Sequence, residues 1–271
     1  MEEENLAVVV VPIYKEVLSQ NEEESLKQCI KVLSNYNIFL VCHENLNLDV
    51  YKRIFNEKQC KTAFFHKQYF KNIDGYNHLL TSYKFYNHFR NYKFLLVYQL
   101  DCWVFRDELA FWCQQGYDYI GAPWYEGWNS INANSKFIGV GNGGFSLRKI
   151  SSCLKVVFSF SYIQSPLVFW DHFKKDKSLK NFKELLLNIT ISNNSFFLFN
   201  DSYFYEDYFW SVIVTKNFTW FKVPELNAAA QFSTEVNAPA LFELNNNKLP
   251  FGCHAWEKYH PDFWKKYIPA L

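Results

Sequence analysis

An α/β fold with an open, mostly parallel sheet and helices on both faces is what the first 110 residues predict, and three observations carry it. Leu6 to Ile13, LAVVVVPI, is an unbroken apolar and β-branched run, the pattern of a strand buried on both faces. Tyr92 to Gln99, YKFLLVYQ, repeats that pattern and ends directly on Leu100-Asp101. Between them strand-like and helix-like stretches alternate, the β-α-β order that a parallel sheet needs.

Element by element, Pro12 marks the carboxyl end of the first strand. Glu22 to Leu33 carries Leu26, Ile30 and Leu33 at helical spacing, and Asn37 to His43 reads as a second buried strand. A short polar helix or loop occupies Asp49 to Asn56, and Thr62 to Tyr69 reads as a third strand. Asp74 is placed to cap a long aromatic-rich helix from Tyr76 to Arg90. In such sheets ligands bind beyond the carboxyl ends of the strands, so Pro12 to Glu16 and Asp101 are expected on one rim. The second half breaks the alternation. It offers a Gly/Asn/Trp-rich stretch from Gly121 to Gly144, a short strand from Gly144 to Arg148, and an irregular aromatic segment from Phe158 to Phe199. Lys174 to Lys183 within that segment reads as a solvated insertion. A helix headed by Glu206-Asp207, a strand near Trp220 to Pro224 and a loop-rich tail ending in Phe251 to Trp264 follow. No repeat, linker or shift of composition divides the chain, so a single domain over 1–271 is expected.

Composition narrows the function classes. At 49% hydrophobic and 20% aromatic the chain has apolar surface for a large core, which argues against disorder. The formal net charge is +1 and no dense basic stripe occurs, which disfavours general nucleic-acid binding. A nucleotide held through one metal ion and a few backbone donors leaves no trace in net charge. The seven cysteines are odd in number, scattered and without Cys-x-x-Cys spacing, as expected of reduced thiols. The start, Met1-Glu2-Glu3-Glu4, is acidic where a signal peptide needs basic residues, and the run from Leu6 to Val11 is too short to span a bilayer. The expectation is a cytoplasmic protein without a transmembrane segment, its sequons at Asn188, Asn193, Asn200 and Asn217 unused. Surplus aromatics in the tail suit a dimer or a peripheral membrane contact as well as a sugar.

Four short constellations carry chemistry. Asp101 ends a buried strand, where an Asp serves equally as a metal ligand or as a cap for the next turn. Gly139 to Gly144 places four glycines in six positions ahead of Phe145-Ser146-Leu147-Arg148, allowing positive φ and close backbone approach to a ligand, or simply a tight turn. Glu206-Asp207 are paired acids amid aromatics, suited to a general base or to the amino-terminal end of a helix dipole. His254 lies in the Gly/aromatic turn Pro250 to Trp256, where an imidazole is either packed or a ligand. His260 is a weaker candidate, and His66, His78 and His88 read as structural.

In that order on the chain, these segments resemble the core of GT-A glycosyltransferases. More specifically, the chain resembles a bacterial and fungal family catalogued as a domain of unknown function and considered glycosyltransferase-like. The matching stretches are Val-Pro-Ile-Tyr-Lys-Glu from residue 11, Tyr98 to Leu109, Gly116 to Trp124, the glycine loop, Glu206-Asp207 and Phe-Gly-Cys-His-Ala-Trp from residue 251. The resemblance implies a GT-A-like, Rossmann-like sheet with a nucleotide-binding half over 1–110 and a loop-rich acceptor and lid half over 111–271. It implies a divalent metal, Mn2+ or Mg2+, on Asp101 and His254, stabilising charge on a leaving nucleoside diphosphate. Gln99 stands where the first acid of an Asp-x-Asp motif would be, so the metal takes one aspartate here and its partner from elsewhere. Asp207 would be the base of an inverting transfer, with Glu206 positioning the acceptor or ordering the loop. Val11, Pro12 and Tyr14, with Gln99, Gly143 and Gly144, would hold the nucleotide-sugar, a UDP-sugar first. Trp103, Trp124, Trp128 and Asn142 would meet sugar, and Arg148 would neutralise a phosphate or pair with an acid. The acceptor would be a glycan, glycolipid or other hydroxyl compound. The competing readings are a non-catalytic carbohydrate-binding or scaffold protein on a degenerate fold, and nucleotidyl or phosphoryl transfer. The latter lacks a Walker loop or kinase signature.

Overall fold

The computed structural model describes residues 5–55, 61–127, 135–159, 165–190 and 205–269. Its main sheet has six strands, in the order β3 (Lys61–Phe64), β2 (Asn37–Cys42), β1 (Ala7–Pro12), β4 (Phe94–Tyr98), β9 (Phe145–Lys149) and β6 (Tyr119–Ile120). Strands β1, β2, β3 and β4 are parallel, while β9 runs antiparallel to both β4 and β6. The sheet is therefore mostly parallel and flanked by helices, as expected. Every residue of β1 is buried, and its side chains alternate between two cores. Ala7, Val9 and Val11 join Leu26, Leu40 and Leu96 on one face, while Val8 and Val10 join Phe85, Leu95 and Trp210 on the other.

Helix α1 (Gln20–Val32) starts on a capping box, with the Ser19 amide donating to the Glu22 carboxylate at 2.8 Å and the Glu22 amide to Ser19 Oγ at 3.3 Å. Helix α2 (Asp49–Phe55) fills the next crossover. The single long helix expected from Tyr76 to Arg90 is instead two, α3 (Ile73–Thr81) and α4 (Tyr83–His88). Ser82 breaks it: its backbone is extended and its hydroxyl accepts from the Phe85 amide at 3.2 Å, opening the second helix. The cap of α3 is Asn72, whose side chain accepts from the Gly75 amide at 2.9 Å, and not Asp74. The third strand stops at Phe64, because His66 caps a 3-10 turn over Lys67–Phe70.

Two further expectations are corrected in the second half. No strand forms at residues 220–224. There the Asp118 amide donates to the Lys222 carbonyl at 2.7 Å and the Lys222 amide to the Asp118 carboxylate at 2.8 Å, so a side chain takes the place of a ladder. The segment read as irregular, with a solvated Lys-rich insertion, folds in its described part as two helices, α7 (Pro166–Lys175) and α8 (Leu179–Thr190), after α5 (Leu109–Cys113) and α6 (Ile150–Val157). The glycine loop lies between two strands, β8 (Phe137–Gly141), paired with β7 (Ala122–Tyr125), and β9. A small sheet, β10 (Ser233–Thr234), β11 (Gly252–His254) and β5 (Cys102–Val104), ties the tail back to the exit of β4. The described cysteines Cys29, Cys102, Cys113, Cys153 and Cys253 are buried free thiols. Among the described residues no helix is long and apolar enough to cross a membrane.

Candidate active site

Because β1 and β4 are adjacent and parallel while the crossovers leave them in opposite directions, a crevice opens beyond their carboxyl ends. A cavity of about 560 Å³ occupies it. Pro12 and Tyr14 line it from the exit of β1, Gln99, Leu100 and Asp101 from the exit of β4, and Gly143 and Gly144 from the glycine loop. Glu206, Asp207 and His254 complete the wall. Most residues singled out in the sequence thus meet around one space.

The pairing of β11 with β5 brings the ends of the chain's chemistry together. Its register sets His254 opposite Cys102, next to Asp101. His254 Nε2 lies 3.2 Å from Asp101 Oδ1 and 3.1 Å from Gln99 Oε1, while Nδ1 lies 3.2 Å from Glu235 Oε1. Burial works against a charged imidazole, but the carboxylates of Asp101 and Glu235 outweigh it and raise His254 to about 10. Asp101 is held below its ordinary value: burial would raise it, and the facing His254 overcomes this.

These donors fit a hard divalent cation. A carboxylate oxygen, an amide oxygen and an imidazole nitrogen converge at the mouth of a cavity, and a second carboxylate, Glu235, stands behind the imidazole. That is the usual way of fixing a ligating histidine's tautomer and ring orientation. Gln99 is itself oriented, its amide donating to the Tyr76 hydroxyl at 2.9 Å, so its oxygen faces His254. Cys102 is also within reach of Asp101 and His254. Burial pushes its thiol well up, and its Sγ donates to the Gly144 carbonyl at 3.1 Å, so it is a poor thiolate ligand.

The glycines matter through close approach. A Cβ at Gly144 would overlap the His254 ring, and one at Gly143 the Glu206 carboxylate. Positive φ occurs in the loop at Gly139 (147°) and at Asn142 (73°), and the Asn142 side-chain oxygen accepts from the amides of Gly144 at 3.2 Å and Phe145 at 3.4 Å. Asn142 is therefore buried and shapes the loop without facing the cavity.

The two acids have separate surroundings. Asp207 accepts from the amides of Tyr208 at 2.8 Å and Gly143 at 3.4 Å, and burial raises its pKa. Glu206 points inward to Arg148, Nη2 to Oε2 2.7 Å, with both side chains enclosed. Arg148 also donates to Ser146 Oγ at 2.9 Å and to the Tyr86 hydroxyl at 3.1 Å. Burial pushes Glu206 up to about 7, with Arg148 opposing. The Glu206 amide donates to Asn77 Oδ1 at 3.2 Å, which anchors the acid-bearing turn to α3.

Several expected roles change. Of the two roles open to Arg148, pairing with an acid is the one found: it is fully buried against Glu206 and not placed to meet a phosphate. Trp103 and Trp124 are buried, Trp103 edge-on to Trp256 and Trp124 against Gly141, and neither lines the cavity. Val11 is buried behind Pro12 in the core. Trp128 lies outside the described residues. His260 accepts from the Asn237 amide at 3.2 Å and does not line the cavity. Sequence reasoning passed over Tyr76, Asn77 and Glu235. Helical spacing disguised the first two as core, and no local pattern marks Glu235.

Comparison with known proteins adds a family. The model of a family described as "Protein of unknown function (DUF5672)" matches residues 59–254. No curated protein sequence matches the chain. Among solved structures, the chain is similar to a glycosyltransferase involved in glycosylation of the major capsid of PBCV-1. That likeness has a TM-score of 0.48 and 5% identity, covering 98% of this chain and 100% of the other. It is also similar to apo GlyE, a glycosyltransferase of Streptococcus pneumoniae TIGR4, with a TM-score of 0.49 and 12% identity over 97% of this chain and 60% of that one. A third likeness is to core-mannan synthase A of Aspergillus fumigatus in an Mn/GDP form, with a TM-score of 0.38 and 12% identity over 54% and 60% of the two chains. At these scores none of the three decides what this chain does.

Proposed function

The chain belongs to the DUF5672 family, whose description assigns no activity, and from its site we propose that it is a metal-dependent glycosyltransferase using a nucleotide-sugar donor. One observation carries the reading. Asp101, His254, the Gly143-Gly144 turn and Asp207, far apart in sequence, line a single cavity at the carboxyl ends of β1 and β4.

In this reading Asp101 and His254 hold a divalent metal, Mn2+ or Mg2+, with the Gln99 oxygen beside them. When bound, the metal supplies Lewis-acid neutralisation of the leaving diphosphate. Glu235 keeps the His254 Nδ1 proton and so leaves Nε2 free to ligate. Pro12 and Tyr14 receive the nucleotide, a UDP-sugar as the first candidate. Asp207, fixed by two backbone amides and raised by burial, takes the proton from an attacking acceptor hydroxyl, which corresponds to inversion at the sugar carbon. Glu206, engaged with Arg148, orders the turn that carries Asp207 and does not touch the acceptor. Residues 1–110 act as the nucleotide half and 111–271 as the acceptor half of one domain. The acceptor is a glycan, glycolipid or other hydroxyl compound, and buried free thiols suit a cytoplasmic setting.

Thermal-shift measurement with UDP, GDP, CMP and their sugars, with and without manganese, tests this. A ligand at about 100 times its dissociation constant adds about 2.7 kcal/mol. A manganese-dependent rise with one nucleotide, lost in Asp101→Ala and His254→Ala, is the expected result. No shift with any nucleotide would overturn the proposal.

A further inference from the structure

Helices α7 and α8 form a hairpin between α6 and the turn that carries Glu206, and among the described elements they pack chiefly on each other. No side chain of α7 is buried, and of α8 only Leu185. Yet the hairpin is rich in large apolar residues. Leu167, Trp170, Leu179, Phe182, Leu186 and Leu187 are all exposed, Leu167 at 67% and Leu179 at 70%. On α8, Leu179, Phe182 and Leu186 follow i, i+3, i+7 spacing and fall within about 60° of arc, with Lys183 and Lys180 along one flank. Exposed apolar stripes of this kind mark a surface that something covers.

Charge identifies what covers it. Between Pro166 and Thr190 five lysines face three acids. Two of those acids are engaged within the hairpin, Asp171 with Lys174 at 3.1 Å and Asp176 with the Asn181 amide at 3.1 Å. The core of a protein interface is depleted in lysine. A second copy would set like charges against each other. Lysines bordering a Leu/Phe/Trp stripe are instead the make-up of a helix lying in the bilayer interface, with ammonium groups reaching the phosphates and apolar side chains entering the acyl boundary. We propose that the α7–α8 hairpin docks the protein onto an anionic lipid surface, lying on the bilayer and not spanning it. This stands independently of the reaction assigned to the cavity.

Co-sedimentation of the full chain with vesicles of phosphatidylcholine alone, and of phosphatidylcholine mixed with phosphatidylglycerol, tests it. The chain is expected to pellet with the mixed vesicles and to stay in solution with the neutral ones. Lys180→Gln/Lys183→Gln should weaken partitioning about fivefold per lysine. Leu179→Ser/Leu186→Ser should abolish it, with the melting temperature and nucleotide-induced thermal shifts unchanged in both variants. Failure to pellet with mixed vesicles, or undiminished pelleting by both variants, would overturn the proposal. So would a concentration-dependent dimer, seen by light scattering and abolished by the leucine changes without any pelleting, which would assign the face to a second copy.

Discussion

Arg148 and Glu206 form an enclosed ion pair, Nη2 to Oε2 2.7 Å, directly beneath the backbone that presents Asp207 to the cavity. The pair joins β9, the strand following the glycine loop, to the acid-bearing turn. Removing Arg148 alone leaves a buried carboxylate without its counter-charge. Arg148→Met is expected to cost about 3–5 kcal/mol in urea unfolding, and Arg148→Met/Glu206→Leu to regain most of that. Equal losses in the single and double variants would show that the pair is not coupled.

Asp207→Asn removes the proposed base and keeps an oxygen for the closer amide, that of Tyr208 on Oδ1, while the longer contact of the Gly143 amide with Oδ2 is given up. Turnover should fall about 10²–10⁴-fold with donor binding and melting temperature unchanged. Steady-state kinetics beside a nucleotide titration distinguish this from a folding defect, which would depress both.

Glu235 touches the proposed metal only through His254. Glu235→Gln should weaken manganese binding about 10–100-fold, read by calorimetry in the presence of the nucleotide, while metal-free nucleotide binding persists. Unaltered manganese affinity would remove Glu235 from the site.

Stability of the metal-free protein and its affinity for manganese should run in opposite directions with pH. His254 has a folded pKa of about 10 against an ordinary 6.5. The folded state thus holds a proton the unfolded state releases, and the corresponding stability is complete below about 6.5 and lost as pH rises toward about 10. Under the proposed ligation manganese would displace that proton from Nε2, so its affinity should increase over the same interval. Chemical denaturation of the chelated protein and metal titration across pH should cross in this way. His254→Gln should flatten the stability profile between those limits.

Gly144→Ala should disturb the proposed metal site with little effect on the proposed nucleotide pocket near Pro12. The added methyl would overlap the His254 ring, so manganese-dependent stabilisation should vanish before nucleotide binding does. Parallel thermal shifts with nucleotide alone and with nucleotide plus manganese read the difference.

The fold was legible where a local pattern has a single physical meaning. LAVVVVPI can hardly be anything but a doubly buried strand, and YKFLLVYQ running onto Asp101 located the site's rim. Glycines, paired acids and a histidine in a turn are punctuation, visible without a structure. Arg148 and the two tryptophans were harder, because charge and aromaticity suggest ligands while burial decides their role. Glu235 was hidden for a different reason: its partner is supplied by the pairing of β10 with β11, a contact between segments with no common local signal. The α3–α4 break turned on one serine whose hydroxyl competes with helix continuation.

The β5–β11 pairing also has a consequence in time. A ribosome delivers β5 long before β11, and a domain folds as a unit once its chain is available. The strand ends that line the cavity, the glycine loop and Asp207 are therefore synthesised before the imidazole that meets them. Only when residues 252–254 add to the edge of β5 does His254 reach Asp101. The proposed metal site is thus completed by a strand made late in synthesis, and a chain ended before residue 252 would lack its imidazole ligand.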